Sequence, residues 1–391
     1  MKPLSTTTKG FTDSVIRRMT RVALSCGAVN LSQGFPDFDP PRELLDRLAK
    51  AAYEGPHQYA LTWGAQNFRE ALAAKQERFM GIEVNPDTQV VVTCGSTEAM
   101  MCAVRTVCDP GDKVVVFSPF YENYGADAIL CQAEPVFVPL VPPTFAFDEA
   151  ALEAACAGPD VKALILCNPS NPCGKVFTRD ELLVIARIAE KHDLWVITDE
   201  VYEHIVYEPN VHTYFASLPG MAKRTISCSS LSKTYSITGW RLGYLIAPPE
   251  VADVAKKVHD FLTVGAPAPL MEAAVAGLTM PDSYYEELGQ VYAAKRRLFC
   301  DGLAELGVSF VEPQGAYYVM CDLSAAGYDD DEQLAYDLAR HVGVAGVPGS
   351  CFFKEPEHRY VRFHFAKSEP VLRQALANLE GWQDKLAAAR G

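Results

Sequence analysis

The sequence predicts an α/β protein: a large domain with a mostly parallel central sheet flanked by helices, joined to a smaller α+β domain. Between residues 90 and 250, short apolar, β-branched runs alternate with helical stretches, the pattern of buried parallel strands and their crossover helices. From about Pro281 the alternation gives way to one long amphipathic helix followed by strands and helices in mixed order. At 391 residues the chain is long enough for both units.

The first 40 residues read as an N-terminal arm counted with the small domain, residues 41–280 as the large domain and 281–391 as the small one. In the arm, "LSQGFPDFDPP" (31–41) carries too much glycine and proline for a helix. "RELLDRLAKAAYEG" (42–55) has helical periodicity and stops at a glycine. The strand "TQVVVTC" runs into the helix "GSTEAMMCAVRTVC", and "DKVVVFSP" precedes the helix "FYENYGADAILC". "AEPVFVPL" and "VKALILCNP" are the next strands, the second leading through a loop to the helix "RDELLVIARIAEKHD". "LWVITDE", "RTISCSSLSK" and "WRLGYLIAP" complete the large sheet. In the small domain, "DSYYEELGQVYAAKRRLFCDGLAEL" is a single helix. The strand "YYVMCDL", a helix around "DEQLAYDLARHV", the strand "RYVRFHFA" and a closing helix follow it.

Composition removes several function classes. A net charge of −14 repels a polyanion, so nucleic acid is not an expected partner. No run approaches the ~20 apolar residues of a membrane span, and the first twenty residues lack the apolar core of a secretory signal. The 12 cysteines form no CxxC pair and no zinc-spaced cluster, which fits reduced thiols in a cytoplasm.

In open parallel sheets, ligands bind outside the carboxyl ends of the strands. Gly95-Ser96-Thr97 opens a helix there, where backbone N–H groups and the helix dipole suit a phosphate, although alone such a turn is mostly a cap. Asn168-Pro169-Ser170-Asn171-Pro172 is a rigid loop that projects two asparagines from a strand end. Asp199 ends an almost wholly apolar strand, where a carboxylate needs a cation or N–H partners, and Tyr202 follows three residues later.

Lys233 sits among serines in "SSLSKTYSITGWRLGY". Ser230-Leu231-Ser232-Lys233 matches the S-x-x-K of serine acyltransferases, but the S-D-N and K-T-G strings that accompany it are absent. The other reading makes the lysine the nucleophile, since a desolvated amine near other cations loses its proton and forms a Schiff base. Pyridoxal phosphate needs such a lysine, a carboxylate for its ring nitrogen and an anion site. Lys233, Asp199 and the 95–97 turn supply these, and Ser230 and Arg241 extend the anion site.

With "GSTEAM", "NPSNPCGKVF", "ITDEVYEHIVY", "SLSKTYSITGWRLGY" and "VPGSCFF" in that order, the chain resembles the pyridoxal-phosphate-dependent aminotransferases of fold type I, class I/II. Within them it is most similar to the kynurenine, glutamine and methionine transaminase branch. The resemblance implies that Lys233 carries the cofactor and shuttles the proton, and that Asp199 pairs with the pyridine nitrogen. It further implies that Asn171 and Tyr202 bind the ring oxygen, and that Tyr121 stacks on the ring. Gly95, Ser96, Thr97, Ser230 and Arg241 would take the phosphate, with Tyr59 of a neighbouring subunit, which implies a homodimer. Gly34, Asn171 and Arg362 would hold the substrate α-carboxylate, where a guanidinium fork matches it. Cys173 stands where many relatives carry threonine. Arg17, Arg18 and Arg21 are candidates, by location, for a distal carboxylate.

The expected activity is a cytoplasmic transamination of a neutral or aromatic L-amino acid with a 2-oxo acid, with no metal. Three alternatives differ in kind. An aspartate/2-oxoglutarate aminotransferase would prefer acidic donors. A cysteine-S-conjugate β-lyase would release pyruvate and ammonia without an acceptor. A cofactor-sensing regulator would need a DNA-binding module that the short arm has no room for.

Overall fold

The computed structural model describes residues 1–390; Gly391, the last residue of the expected small domain, lies outside them. An eight-stranded sheet forms the centre. Its order is Val90–Thr93, Gly243–Ile246, Thr225–Ser230, Trp195–Asp199, Val161–Cys167, Lys113–Ser118, Glu134–Val141 and Ala146–Phe147. The five strands from Thr225–Ser230 to Glu134–Val141 are parallel. Within this mostly parallel sheet, Gly243–Ile246 runs antiparallel to both neighbours and Ala146–Phe147 to Glu134–Val141. The connection from Thr225–Ser230 holds only the one-turn helix Leu231–Thr234 and the turn Thr238–Trp240, and it brings the chain straight back beside the strand it left.

Both faces of the sheet are covered, which explains why its strands read as unbroken apolar runs. Helices Glu149–Cys156 and Arg179–Lys191 cover one face through Leu152, Leu182, Ile185 and Ile188. Helices Ser96–Val107, Asn123–Leu130 and Pro249–Thr263 cover the other through Met100, Val104, Ala128 and Ala252. Arg179–Lys191 starts with a full capping box, Thr178 accepting the Glu181 N–H while Glu181 accepts that of Thr178.

A second sheet is antiparallel, in the order Ser309–Val311, Tyr318–Asp322, Tyr360–His364, Val347–Pro348. It packs on helices Asp282–Glu305, Glu369–Leu379 and Trp382–Arg390. The arm holds a helix that the sequence reading missed, Val15–Cys26. Its N-cap Ser14 accepts the Arg17 N–H, and Gly27 ends it in the left-handed conformation. After it, Val29 and Asn30 pair in parallel with Val344 and Ala345, which fastens the arm to the C-terminal part of the chain. The stretch around "DEQLAYDLARHV" divides into the helix Asp331–Asp337 and a π turn, Leu338–Val342.

Two further features bear on stability and chemistry. Cys26 is exposed, whereas the other cysteines are buried or half-buried, and none is disulfide-bonded. Beneath the strand-end loops, the Lys75 ammonium lies 2.8 Å from Glu203 Oε1, both side chains fully covered, while the Tyr214 hydroxyl donates to Glu203 Oε2 at 2.8 Å. Burial alone pushes Glu203 up, but the charge and hydrogen bond of Lys75, with the Tyr214 hydroxyl, outweigh it and hold the carboxyl at about 2. Removing one partner of such a pair costs about 3–5 kcal/mol, whereas replacing both by apolar groups costs far less. Lys75→Met is therefore expected to lower the urea midpoint more than Lys75→Met/Glu203→Leu does. Equal midpoints for the two variants would show that the pair is not coupled.

Candidate functional site

The carboxyl ends of the parallel strands open onto a cavity of about 490 Å³ between the two sheets and the arm. Of the residues singled out from sequence, Gly34, Ser96, Thr97, Tyr121, Asn171, Asp199, Tyr202, Ser230, Lys233, Arg241 and Arg362 all line it. Gly95 lies just behind the lining. Tyr59 does not line it and is 87% exposed.

Lys233 sits on the one-turn helix Leu231–Thr234 that follows the strand Thr225–Ser230. Its ammonium has one hydrogen bond, to the Gly34 carbonyl at 3.2 Å, and otherwise faces the rings of Tyr202 and Tyr317 at 6.0 and 5.8 Å. Burial lowers its pKa first; Asp199 works against this, Arg241 and Arg362 work with it, and the amine comes to about 8. A substantial neutral fraction at mild pH is what a nucleophilic or proton-shuttling lysine needs.

Asp199 closes its strand at 6% exposure and accepts from the Tyr124 hydroxyl at 2.7 Å and the Val201 N–H at 3.4 Å. Burial pushes its carboxyl up, against those two hydrogen bonds and the charge of Lys233. With only neutral donors touching it, the carboxylate is suited to a cationic N–H arriving from the cavity.

Arg362 shows the same kind of incompleteness with opposite sign. It is fully buried on Tyr360–His364, donates to Asn171 Oδ1 at 2.6 Å and to the Ser32 carbonyl at 2.8 Å, and leaves its Nε without a partner. The Tyr318 and Phe352 rings lie 4.2 and 4.5 Å from the guanidinium. No carboxylate neutralises it among the described residues. A buried guanidinium held by neutral groups is a receptor for a carboxylate.

Helix Ser96–Val107 has no side-chain cap, so the N–H groups that open it at Ser96 and Thr97 are free for a ligand. A Cβ at Gly95 would run into the Arg241 guanidinium, and one at Gly243 into the Gly95 and Ser96 backbone. Arg241 lies in the left-handed region at φ 54° and donates to the Thr238 carbonyl at 3.0 Å and the Cys94 carbonyl at 3.4 Å. A non-glycine residue in that region costs of order 1–3 kcal/mol. That cost points the guanidinium at the turn. Ser230 Oγ donates to the Leu242 carbonyl at 2.9 Å and accepts the Ser232 N–H at 3.0 Å, which stiffens the same wall.

These groups fit pyridoxal phosphate: an amine, a carboxylate short of a cation, and an uncapped helix end backed by a guanidinium. Of the three arm arginines, Arg17 alone reaches the cavity; Arg18 pairs with Glu332 and Arg21 with Asp13, each at 2.9 Å. Cys173 is buried against the Ser170 hydroxyl at 3.3 Å, outside the cavity lining. Sequence reasoning missed Gly243 and Tyr318. The Tyr318 hydroxyl is 3.0 Å from that of Tyr202 and would collide with a Cβ at Gly34. Only the glycine in "WRLGY" and the paired tyrosines of "AYYVM" hinted at them.

The family model described as aminotransferase class I and II matches residues 27–379. A probable N-succinyldiaminopimelate aminotransferase of Mycobacterium tuberculosis is 36% identical, over 94% of this chain and 96% of that protein. The methionine aminotransferase of Escherichia coli is 34% identical, over 94% of this chain and 95% of its own length. The solved structure of N-succinyldiaminopimelate aminotransferase from M. tuberculosis superposes with a TM-score of 0.94 at 36% identity, covering 97% of this chain and 100% of that one.

In the cofactor-free protein the Lys233 amine should titrate near 8, neutral above and charged below, while ordinary lysines titrate near 10.4. Acetylation of the apoprotein, followed by peptide mass spectrometry across pH, is expected to show half-maximal Lys233 reactivity about two pH units below that of surface lysines. A Lys233 midpoint at the surface value would show that burial does not depress it.

Proposed function

The chain belongs to the class I and II aminotransferases, enzymes that work with pyridoxal phosphate, and from that premise we propose that it moves the amino group of a neutral or aromatic L-amino acid to a 2-oxo acid in a ping-pong cycle. Methionine, glutamine, phenylalanine and kynurenine are the candidate donors. The observation that carries the reading is Arg362, a buried guanidinium without a counter-ion beside an amine of lowered pKa.

When bound, the cofactor supplies an aldehyde for the amine and a ring that accepts the electron pair left at Cα. Lys233 Nζ takes the Cα proton and returns it, and its low pKa keeps the amine free to do so. Asp199 would keep a proton on the ring nitrogen. Asn171 and Tyr202 would hold the ring oxygen, with Tyr121 against the ring. Gly95, Ser96, Thr97, Ser230 and Arg241 would hold the phosphate. Arg362, Asn171 and the Gly34 backbone bind the α-carboxylate, so a closing arm (1–40) and C-terminal unit (281–391) grip the substrate against the large unit (41–280).

Tyr59 stands clear of its own cavity, which supports the reading that it serves the phosphate of a second copy in a homodimer. The cytoplasm suits free cysteines of this number, and no helix among the described residues is long and apolar enough to cross a membrane. Arg17 on the cavity rim supports a second reading, in which a dicarboxylate such as 2-oxoglutarate or aspartate is the preferred substrate.

Single L-amino acids added without an acceptor are expected to bleach the visible band of the holoenzyme, methionine, glutamine or phenylalanine faster than aspartate. Lys233→Ala removes the band. A preference for aspartate would establish the second reading. Truncating one partner of a buried charge pair costs about 2–5 kcal/mol, so Arg362→Leu should lower kcat/KM by roughly 30- to 5,000-fold. Wild-type kcat/KM in that variant would remove Arg362 from the substrate site.

A further inference from the structure

Behind the 95–97 turn lies a buried histidine–carboxylate pair that none of the roles above uses. His259, on Pro249–Thr263, is fully buried, with Nδ1 2.7 Å from Glu98 Oε1 and Nε2 2.9 Å from the Thr62 carbonyl oxygen. A carbonyl oxygen only accepts, so Nε2 carries a hydrogen. Glu98 takes two more donors, the Cys94 N–H at 2.5 Å and the Thr263 hydroxyl at 2.7 Å. Burial pushes the Glu98 carboxyl up, but the hydrogen bond and charge of His259, with those donors, outweigh it and hold the carboxyl below its ordinary range. Nδ1 and Glu98 Oε1 share the second hydrogen bond of the ring. Cys102 Sγ lies within 4.8 Å of the facing Glu98 and His259 atoms. The Glu98 oxygens are already taken by three donors, so the trio is a hydrogen-bonded pair beside a thiol and not a metal site.

Three segments meet at this pair: the turn through the Cys94 N–H, residues 57–64 through the Thr62 carbonyl, and the end of helix Pro249–Thr263 through Thr263. We propose that His259 is a positioning residue. Through Glu98 its ring sets the shape of the turn that receives the cofactor phosphate, and through Thr62 it holds the segment that presents Tyr59. This rests on the reading of the 95–97 turn as the phosphate site. His259 itself lines no part of the cavity. Without the ring, Glu98 would lose a buried hydrogen-bond partner, and its hold on the Cys94 N–H would loosen.

The test titrates apoenzyme with pyridoxal phosphate and, separately, with pyridoxal, which lacks the phosphate. His259→Gln is expected to raise the Kd for pyridoxal phosphate about tenfold or more while leaving that for pyridoxal within about twofold. The ³¹P resonance of the bound phosphate should shift. Glu98→Gln, nearly isosteric, should do the same, which keeps the test available should His259→Gln fail to fold. The double variant should be no weaker than the worse single one. Wild-type affinity for both compounds, or an equal loss for both, in His259→Gln and Glu98→Gln would overturn the proposal. Ser96→Asp separates the underlying reading, because a carboxylate there repels a phosphate whether side chains or backbone N–H groups hold it. If it leaves the preference for pyridoxal phosphate over pyridoxal intact, the turn is not the phosphate site and both fall. If it erodes that preference and the His259 and Glu98 variants do not, only the role of His259 fails.

Discussion

The structure is organised around charges that the chain buries without neutralising. Arg362 is fully covered and bonded only to an amide and a backbone carbonyl, and Asp199 is covered and bonded only to a hydroxyl and an N–H. Left alone, each would cost several kcal/mol, which a fold tolerates only where something from outside completes the pairing. Their placement follows from the sheet. Asp199 is the last residue of a parallel strand, Lys233 lies just past the neighbouring one, and Arg362 comes from the second sheet across the cavity. The two sheets therefore bring opposite charges to one space without letting them touch.

The pair Lys75–Glu203 shows the alternative outcome a few residues from the cavity. There the cation and the carboxylate meet at 2.8 Å, with Gln76 and Tyr214 filling the remaining positions. Such a pair is structurally complete and has nothing to offer a ligand. The contrast between saturated and unsaturated charge, more than burial or pKa alone, separates scaffold from site in this chain. Glu98 and His259 stand between the two. They hydrogen-bond each other, yet the remaining Glu98 oxygen reaches the turn that borders the cavity.

Much of this was legible in the sequence because the positions that matter sit at strand ends. Asp199 directly follows an apolar run, Asn171 lies in the loop that ends another, and Lys233 is a lone cation among serines past a third strand, contrasts that a single sequence displays. Arg362 was harder. It is one charged residue inside a short strand, and only the resemblance distinguished it from a surface ion pair. The direction of Gly243–Ile246 was not legible, since apolar periodicity is the same for parallel and antiparallel strands. The arm helix Val15–Cys26 was hidden by a polar composition around three arginines. Tyr318 and Gly243 matter through what would collide there, and a collision between residues far apart in sequence leaves no local pattern. His259 belongs to the same class, because its partners come from three separate stretches.

The uneven covering of the thiols has a practical consequence. Cys26 ends the arm helix and is exposed, while burial raises the pKa of Cys94, Cys167 and Cys351 and so slows their alkylation. Eight residues beyond Cys26, the same arm supplies the Gly34 carbonyl that lies over Lys233. The native chain thus carries a ready attachment point for a fluorophore or spin label on the segment that roofs the site, and arm motion can be watched during turnover without engineering a cysteine.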